Sequence, residues 1–260
     1  MHKMTQPGLG GWLWLWFSAT LVSFVLVAID LARSREAART PGEKIQRLGW
    51  LLNTLYMGAF CALVYRVVRT QDGATGQELL WKQAARSTMH CAAGQMSGML
   101  LAALLSHRLH LSNQWELVSE YSGGLLVGLL AFKAPGLRAD DGRGYWKAVG
   151  DNWLGEMLAM NMMMAGQIPI MAFFLWLDGL AMQPGSIAFW GMMSFSFIAG
   201  SLATFPWMYW QRYSSRWSGL SALLTFLLLA AGVATASLSG YFHDMGVSRG
   251  NSMLMPAASE

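Results

Sequence analysis

The chain has 260 residues, 54% of them hydrophobic and only 12% charged, with a mean hydropathy of +0.35. A soluble domain carries about 25% charged residues, so about half of the usual surface charge is missing; this excludes a disordered chain, a nucleic-acid-coating basic protein and an ordinary cytosolic enzyme, and leaves a polytopic integral membrane protein. The formal net charge of +4 needs no acidic ligand, because membrane proteins keep Lys and Arg in their loops as topology signals.

A hydrocarbon core takes about 20 mostly apolar residues per helix, and seven candidate spans follow one another, predicting an all-α bundle. The first, 12–31, opens on Trp12, Trp14 and Trp16, an interfacial aromatic belt. Its length, its nearly uncharged start and the lack of a small-residue cleavage site before Arg33 and Arg35 mark it as a retained anchor. The second, 48–67, follows a charged loop with Pro41 and Gly42, and the third, 87–105, is polar and small at its start. The fourth, 121–133, is short and glycine-rich, with room to extend back through Val118.

A polar loop with Pro135, Asp140, Asp141 and Gly142 leads to the fifth span, 153–177, where Pro169 predicts a kink. The sixth, 187–210, contains Pro206 and ends on the belt residues Trp207, Tyr209 and Trp210. The seventh, 220–240, is made of Leu, Ala and small residues. Residues 1–240 read as one transmembrane bundle and 241–260 as a short soluble tail. Asp30 and Asp178, near span ends, read as interface residues. Cys61 and Cys91 both lie in apolar stretches, which argues against a disulfide framework. The connection after the first span carries Arg33, Arg35, Arg39, Lys44 and Arg47, against Lys3 before it. That local bias places the N-terminus outside a bacterial inner membrane, although summed over all loops the opposite face is the more basic.

Two places resist an inert reading. In residues 86–98, His90 and Cys91 are neighbours, about 100° apart on a helix, so both can face a bundle interior. Gly94 and Gly98 form a small-xxx-small pair that admits a second helix. Against a functional reading, Ser, Thr and Cys are common glue between membrane helices. In residues 156–171, Glu156, Met160, Met163, Met164, Gln167 and Met171 fall within about a 100° arc. A carboxylate at membrane depth costs roughly 2.5–3.5 kcal/mol on insertion scales and marks a functional position. Thioethers are soft ligands suited to Cu(I), but Met is also an adaptable core filler, and Glu156 near a helix start is favoured by the dipole. Asn161 and Gln167 need partners at that depth.

The third and fifth spans enter the membrane from the same side, with one hairpin between them. His90, Cys91, Glu156 and Met160 therefore share a depth, and imidazole, thiolate and thioether together suit copper better than magnesium or calcium. His107 and His110, and His243 with Met245, Met253 and Met255 in the tail, read as solvated groups. No G-x-S-x-G, H-E-x-x-H, Walker or Rossmann pattern supports an enzyme, and no two similar halves suggest an inverted-repeat transporter.

The chain resembles an uncharacterised bacterial family of polytopic membrane proteins, a domain of unknown function. The resemblance lies in Asp30, residues 49–58, Trp81 and Lys82, the Thr88 to Gly94 run with its His90-Cys91-x-x-Gly94 core, Glu156 with the Met-rich helix, and residues 189–193 and 203–207. It covers most of the first 210 residues and implies a membrane fold with a polar, metal-handling centre. Many relatives carry a second cysteine directly after that glycine, where this chain has Gln95, so a Cys-pair site is not implied here.

The expected function is the binding or handling of a soft metal, copper, between the third and fifth helices. His90 and Cys91 would be ligands, Met160, Met163 and Met164 supplementary thioethers, and Glu156 an entrance or charge-balancing group. The alternatives are a non-catalytic subunit of a larger complex, meeting its partners or itself through Gly94, Gly98, Gly124 and Gly128, and a haem- or quinone-binding redox subunit with His90 as axial ligand.

Overall fold

A computed structural model describes residues 7–34, 41–70, 79–111, 113–136, 144–213 and 219–238. They form α1 (Pro7–Arg33), α2 (Pro41–Arg69), α3 (Leu80–Arg108), α4 (Asn113–Leu126), α5 (Tyr145–Leu177), α6 (Ile187–Tyr213) and α7 (Gly219–Leu238), with no strand among the described residues. Six helical segments are long and apolar enough to cross a membrane: Gly10–Arg33, Gly42–Arg69, Leu80–Arg108, Trp115–Gly136, Tyr145–Leu177 and Ile187–Gln211. α7 has 20 residues, or about 30 Å of rise, but its apolar stretch, Ala222–Thr235, is shorter than the other six. The chain is thus an all-α, multi-pass membrane bundle. The tail with His243, Met245, Met253 and Met255 lies outside the described residues.

The spans outrun the windows that hydropathy marks. α5 has 33 residues, about 50 Å of rise against a core of about 30 Å, so its polar first turns continue the helix beyond the lipid. The fourth span differs most: it begins at Asn113 and runs through α4 into a π-helical stretch, Val127–Lys133. Pro169 and Pro206 sit inside α5 and α6 without ending either helix.

Helices in lipid gain no hydrophobic drive from meeting each other, so close packing holds them together. The α3–α4 contact is built on missing side chains. A Cβ on Gly94 would stand 2.7 Å from the Cα of Gly128, and one on Gly98 would overlap the carbonyl of Gly123. The four glycines considered for a partner subunit therefore lie in contacts within the chain. The largest fully buried side chains include Met57, Met96, Met99, Met160, Met163, Met164 and Met192, flexible residues that fill irregular space between helices. Trp12, Trp14, Leu21, Leu101 and Leu227 are exposed, as a lipid-facing surface requires.

The ends are tied by polar groups. Asp30 pairs with Arg69 and accepts a hydrogen bond from the Tyr65 hydroxyl at 2.6 Å, joining α1 to α2. The Asp178 carboxylate accepts from the backbone N–H of Leu180 and caps the short turn Gly179–Met182. His107 lies in the last turn of α3, and His110 follows it with φ 52°.

Candidate functional site

Cys91 on α3 and Glu156 on α5 are in direct contact: the thiol donates to Oε1 of the carboxylate at 2.9 Å. Gln95, one turn beyond Cys91, donates through Nε2 to the same oxygen at 3.0 Å. Its Nε2 also lies 3.4 Å from the backbone carbonyl of Glu156. Glu156 is only 2% exposed. Two donors thus converge on one carboxyl oxygen, satisfying an acceptor that has no water to turn to. The space is made by glycine: a Cβ on Gly128, at the start of the π-helical stretch, would stand 2.8 Å from Oε1 of Glu156 and 3.0 Å from Cγ of Gln95.

A polar cavity of about 470 Å³ reaches Glu156 from one end of the bundle. Ser87, Lys133, Asp151, Asn152, Glu156 and Gln211 supply its polar lining. These residues come from the starts of α3 and α5, the end of the π-helical stretch and the end of α6, which all lie on the same side as the N-terminus of the bundle. The side-chain Nε2 of Gln211 has no hydrogen-bond partner. The π-helical stretch ends on Lys133, which lines this cavity.

Of the residues expected at the site, the structure joins Cys91 to Glu156 and leaves the others nearby. His90 stands edge-on to Phe132, with ring centroids 6.1 Å apart, and hydrogen-bonds with the Phe132 backbone. No hydrogen bond among the described residues links it to Cys91 or Glu156. Met160, one turn along α5 from Glu156, turns its Cε toward Gly124 of α4 and Met99 of α3. Met163 faces α6, its Sδ beside Gly200. Met164 is buried in the core cluster shared with Met57, Met96 and Met192. Asn161 has the partners it needs: Tyr121 donates to its Oδ1 at 2.8 Å, and its Nδ2 lies 3.4 Å from the Thr225 hydroxyl.

Sequence reasoning missed Gln95 and Lys133 as members of the site. Gln95 is four residues after Cys91 and so shares its face, a signal that was readable. In the sequence Lys133 marks only the end of a span, and nothing local announces the π-helical turns that bring it to the cavity. Among the described residues no three His, Cys, Asp or Glu side chains gather as a metal-holding group. The arrangement instead offers one thiol and one carboxylate in contact, with thioethers deeper. That set is soft and low in charge, and does not resemble the oxygen cages of calcium or magnesium.

Residues 80–213 match the family described as a domain of unknown function (DUF4396), so the chain belongs to that family. The match takes in α3 to α6, and with them Cys91, Gln95, Lys133 and Glu156; α1, α2 and α7 lie outside it. No curated protein and no solved structure matches the chain.

Proposed function

We propose that this member of DUF4396 binds a soft monovalent metal cation, copper as Cu(I), between α3 and α5, in a bacterial inner membrane with the N-terminus and the polar cavity outside. The observation that carries the reading is the contact of the Cys91 thiol with the Glu156 carboxylate at the floor of that cavity. Cys91 and Glu156 are the primary ligands, and Met160 supplies a thioether one turn further on. His90, held by the Phe132 backbone, flanks the site.

The thiol supplies one exchangeable proton for one soft ion. A metal ligand thiol must lose its proton: the S–H bond breaks, an S–Cu bond forms, and the proton leaves toward the cavity. One positive charge replaces another.

Silver(I), a redox-inert stand-in, tests this in detergent-solubilised protein by titration calorimetry with proton counting. The expected result is one tight Ag(I) per chain with about one proton released, affinity rising about tenfold per pH unit, and loss of that site in Cys91→Ser. Equal binding by Cys91→Ser, or no binding by the parent, would refute the reading; a fixed set of co-purifying chains without silver binding would instead favour a structural subunit.

A further inference from the structure

Beyond the Cys91–Glu156 contact, the buried face of α5 continues as soft or polar donors. Met160, Met163, Met164, Gln167 and Met171 follow Glu156 along it, all of them buried. From Glu156 to Met171 this face covers about 22 Å at ~1.5 Å per residue, most of a hydrocarbon core of about 30 Å. Neighbouring helices leave room for it. Cε of Met160 and Cγ of Met99 close on the place where Gly124 lacks a side chain, at 2.7 and 2.8 Å from it. Sδ of Met163 and Cγ of Gln167 close on the corresponding place at Gly200, at 2.5 and 2.8 Å.

Packing alone accounts for buried thioethers. It does not account for Gln167, which is 0% exposed with neither its Nε2 nor its Oε1 hydrogen-bonded. Buried primary amides are ordinarily satisfied, as Asn161 is on the same helix. An amide left without a partner beside a thioether, about three helical turns past Glu156, is placed to offer its carbonyl oxygen to a cation.

We infer that Gln167 with Met163 is a second station for the same soft cation, and that the thioether face of α5 carries the ion through the bundle instead of storing it. The inference rests on the reading of Cys91 and Glu156 as the first station. In the transfer the S–Cu bond at Cys91 breaks, the thiolate takes back one proton from the cavity, and the ion passes to the neutral thioether sulfurs and the Gln167 carbonyl. No oxidant or reductant is needed, because the ion arrives and leaves as a monovalent cation. The onward move carries one net positive charge.

The test is Ag(I) uptake by purified full-length protein in liposomes with an entrapped silver-sensitive dye and the membrane potential clamped. The parent is expected to load vesicles at least tenfold faster than protein-free controls, and faster with the interior negative. Met163→Leu combined with Gln167→Leu, swaps that roughly conserve volume, should cut the rate at least tenfold while one Ag(I) still binds at Cys91. Gln167→Met alone, which replaces the amide with another soft donor, should retain most of the flux and guards against a misfolded double variant. A parent that binds Ag(I) at Cys91 and moves none overturns the inference and leaves the first reading standing, as does a double variant that transports at the parental rate. A parent that binds no Ag(I) removes both.

Discussion

Gly98→Ala measures how closely the helix pair that carries Cys91 must fit. Its new methyl carbon would overlap the carbonyl of Gly123, stand 2.6 Å from the carbonyl carbon and 2.9 Å from the Cα of Gly124. These are backbone atoms, which cannot swing aside, and carbon pairs rest about 3.5–4.0 Å apart. α3 and α4 must therefore separate locally by about 1 Å, a gap that forfeits a quarter to a half of each pair's attraction. If the contact holds about 40 atom pairs at ~0.1–0.2 kcal/mol each, the loss is about 1–4 kcal/mol, in line with the ~1–3 kcal/mol cost of overpacking. We expect about 2–3 kcal/mol less stability in reversible SDS unfolding followed by circular dichroism. Gly150→Ala is the control: a Cβ there meets nothing within 4 Å and improves helix propensity by up to about 1 kcal/mol. A Gly98→Ala variant as stable as the parent, or a Gly150→Ala variant that loses as much, would refute the close-approach argument.

Gly128→Ala should disturb the site more than the fold, because its Cβ comes closest to side-chain atoms of the site, Oε1 of Glu156 and Cγ of Gln95; displacing the carboxylate from the thiol should weaken Ag(I) binding about tenfold, about 1.4 kcal/mol, as read by calorimetry. Asn161→Leu strands the Tyr121 hydroxyl, while Thr225 keeps its bond to the Ala222 carbonyl, and should cost about 1–3 kcal/mol in unfolding, whereas Gln167→Leu removes an amide that has no partner and should leave stability unchanged or raised. Asp30→Asn breaks an ion pair whose side chains are 43% and 50% exposed, so its cost should stay near or below 1 kcal/mol and shrink further when unfolding is repeated at high salt.

The membrane fold was legible because hydropathy and aromatic belts report the bilayer directly. The ends of the helices were not, since α5 continues through polar residues such as Asp151 and Asn152 that lie outside the lipid, where apolar composition no longer marks the helix. Glu156 stood out as a carboxylate at membrane depth, and helical periodicity placed Met160 and Gln167 on its face. Periodicity could not choose between His90 and Cys91, which point about 100° apart; packing decides that the thiol meets Glu156 and the imidazole meets Phe132. The thioethers divided for the same reason: Met160 turns to α4 and Met163 to α6, a split set by helix crossings that no local pattern encodes. Lys133 reaches the cavity through π-helical turns, whose wider hydrogen-bond spacing has no composition signal here.

The most direct measurement is copper K-edge absorption spectroscopy, with metal content, on protein loaded with Cu(I) under anaerobic conditions, for the parent, Cys91→Ser and Glu156→Gln. The account predicts one copper per chain in the parent, a first coordination sphere that mixes sulfur with a lighter oxygen scatterer, loss of the copper in Cys91→Ser and loss of the lighter scatterer in Glu156→Gln. A parent without copper, or a spectrum and stoichiometry unchanged in both variants, would contradict it.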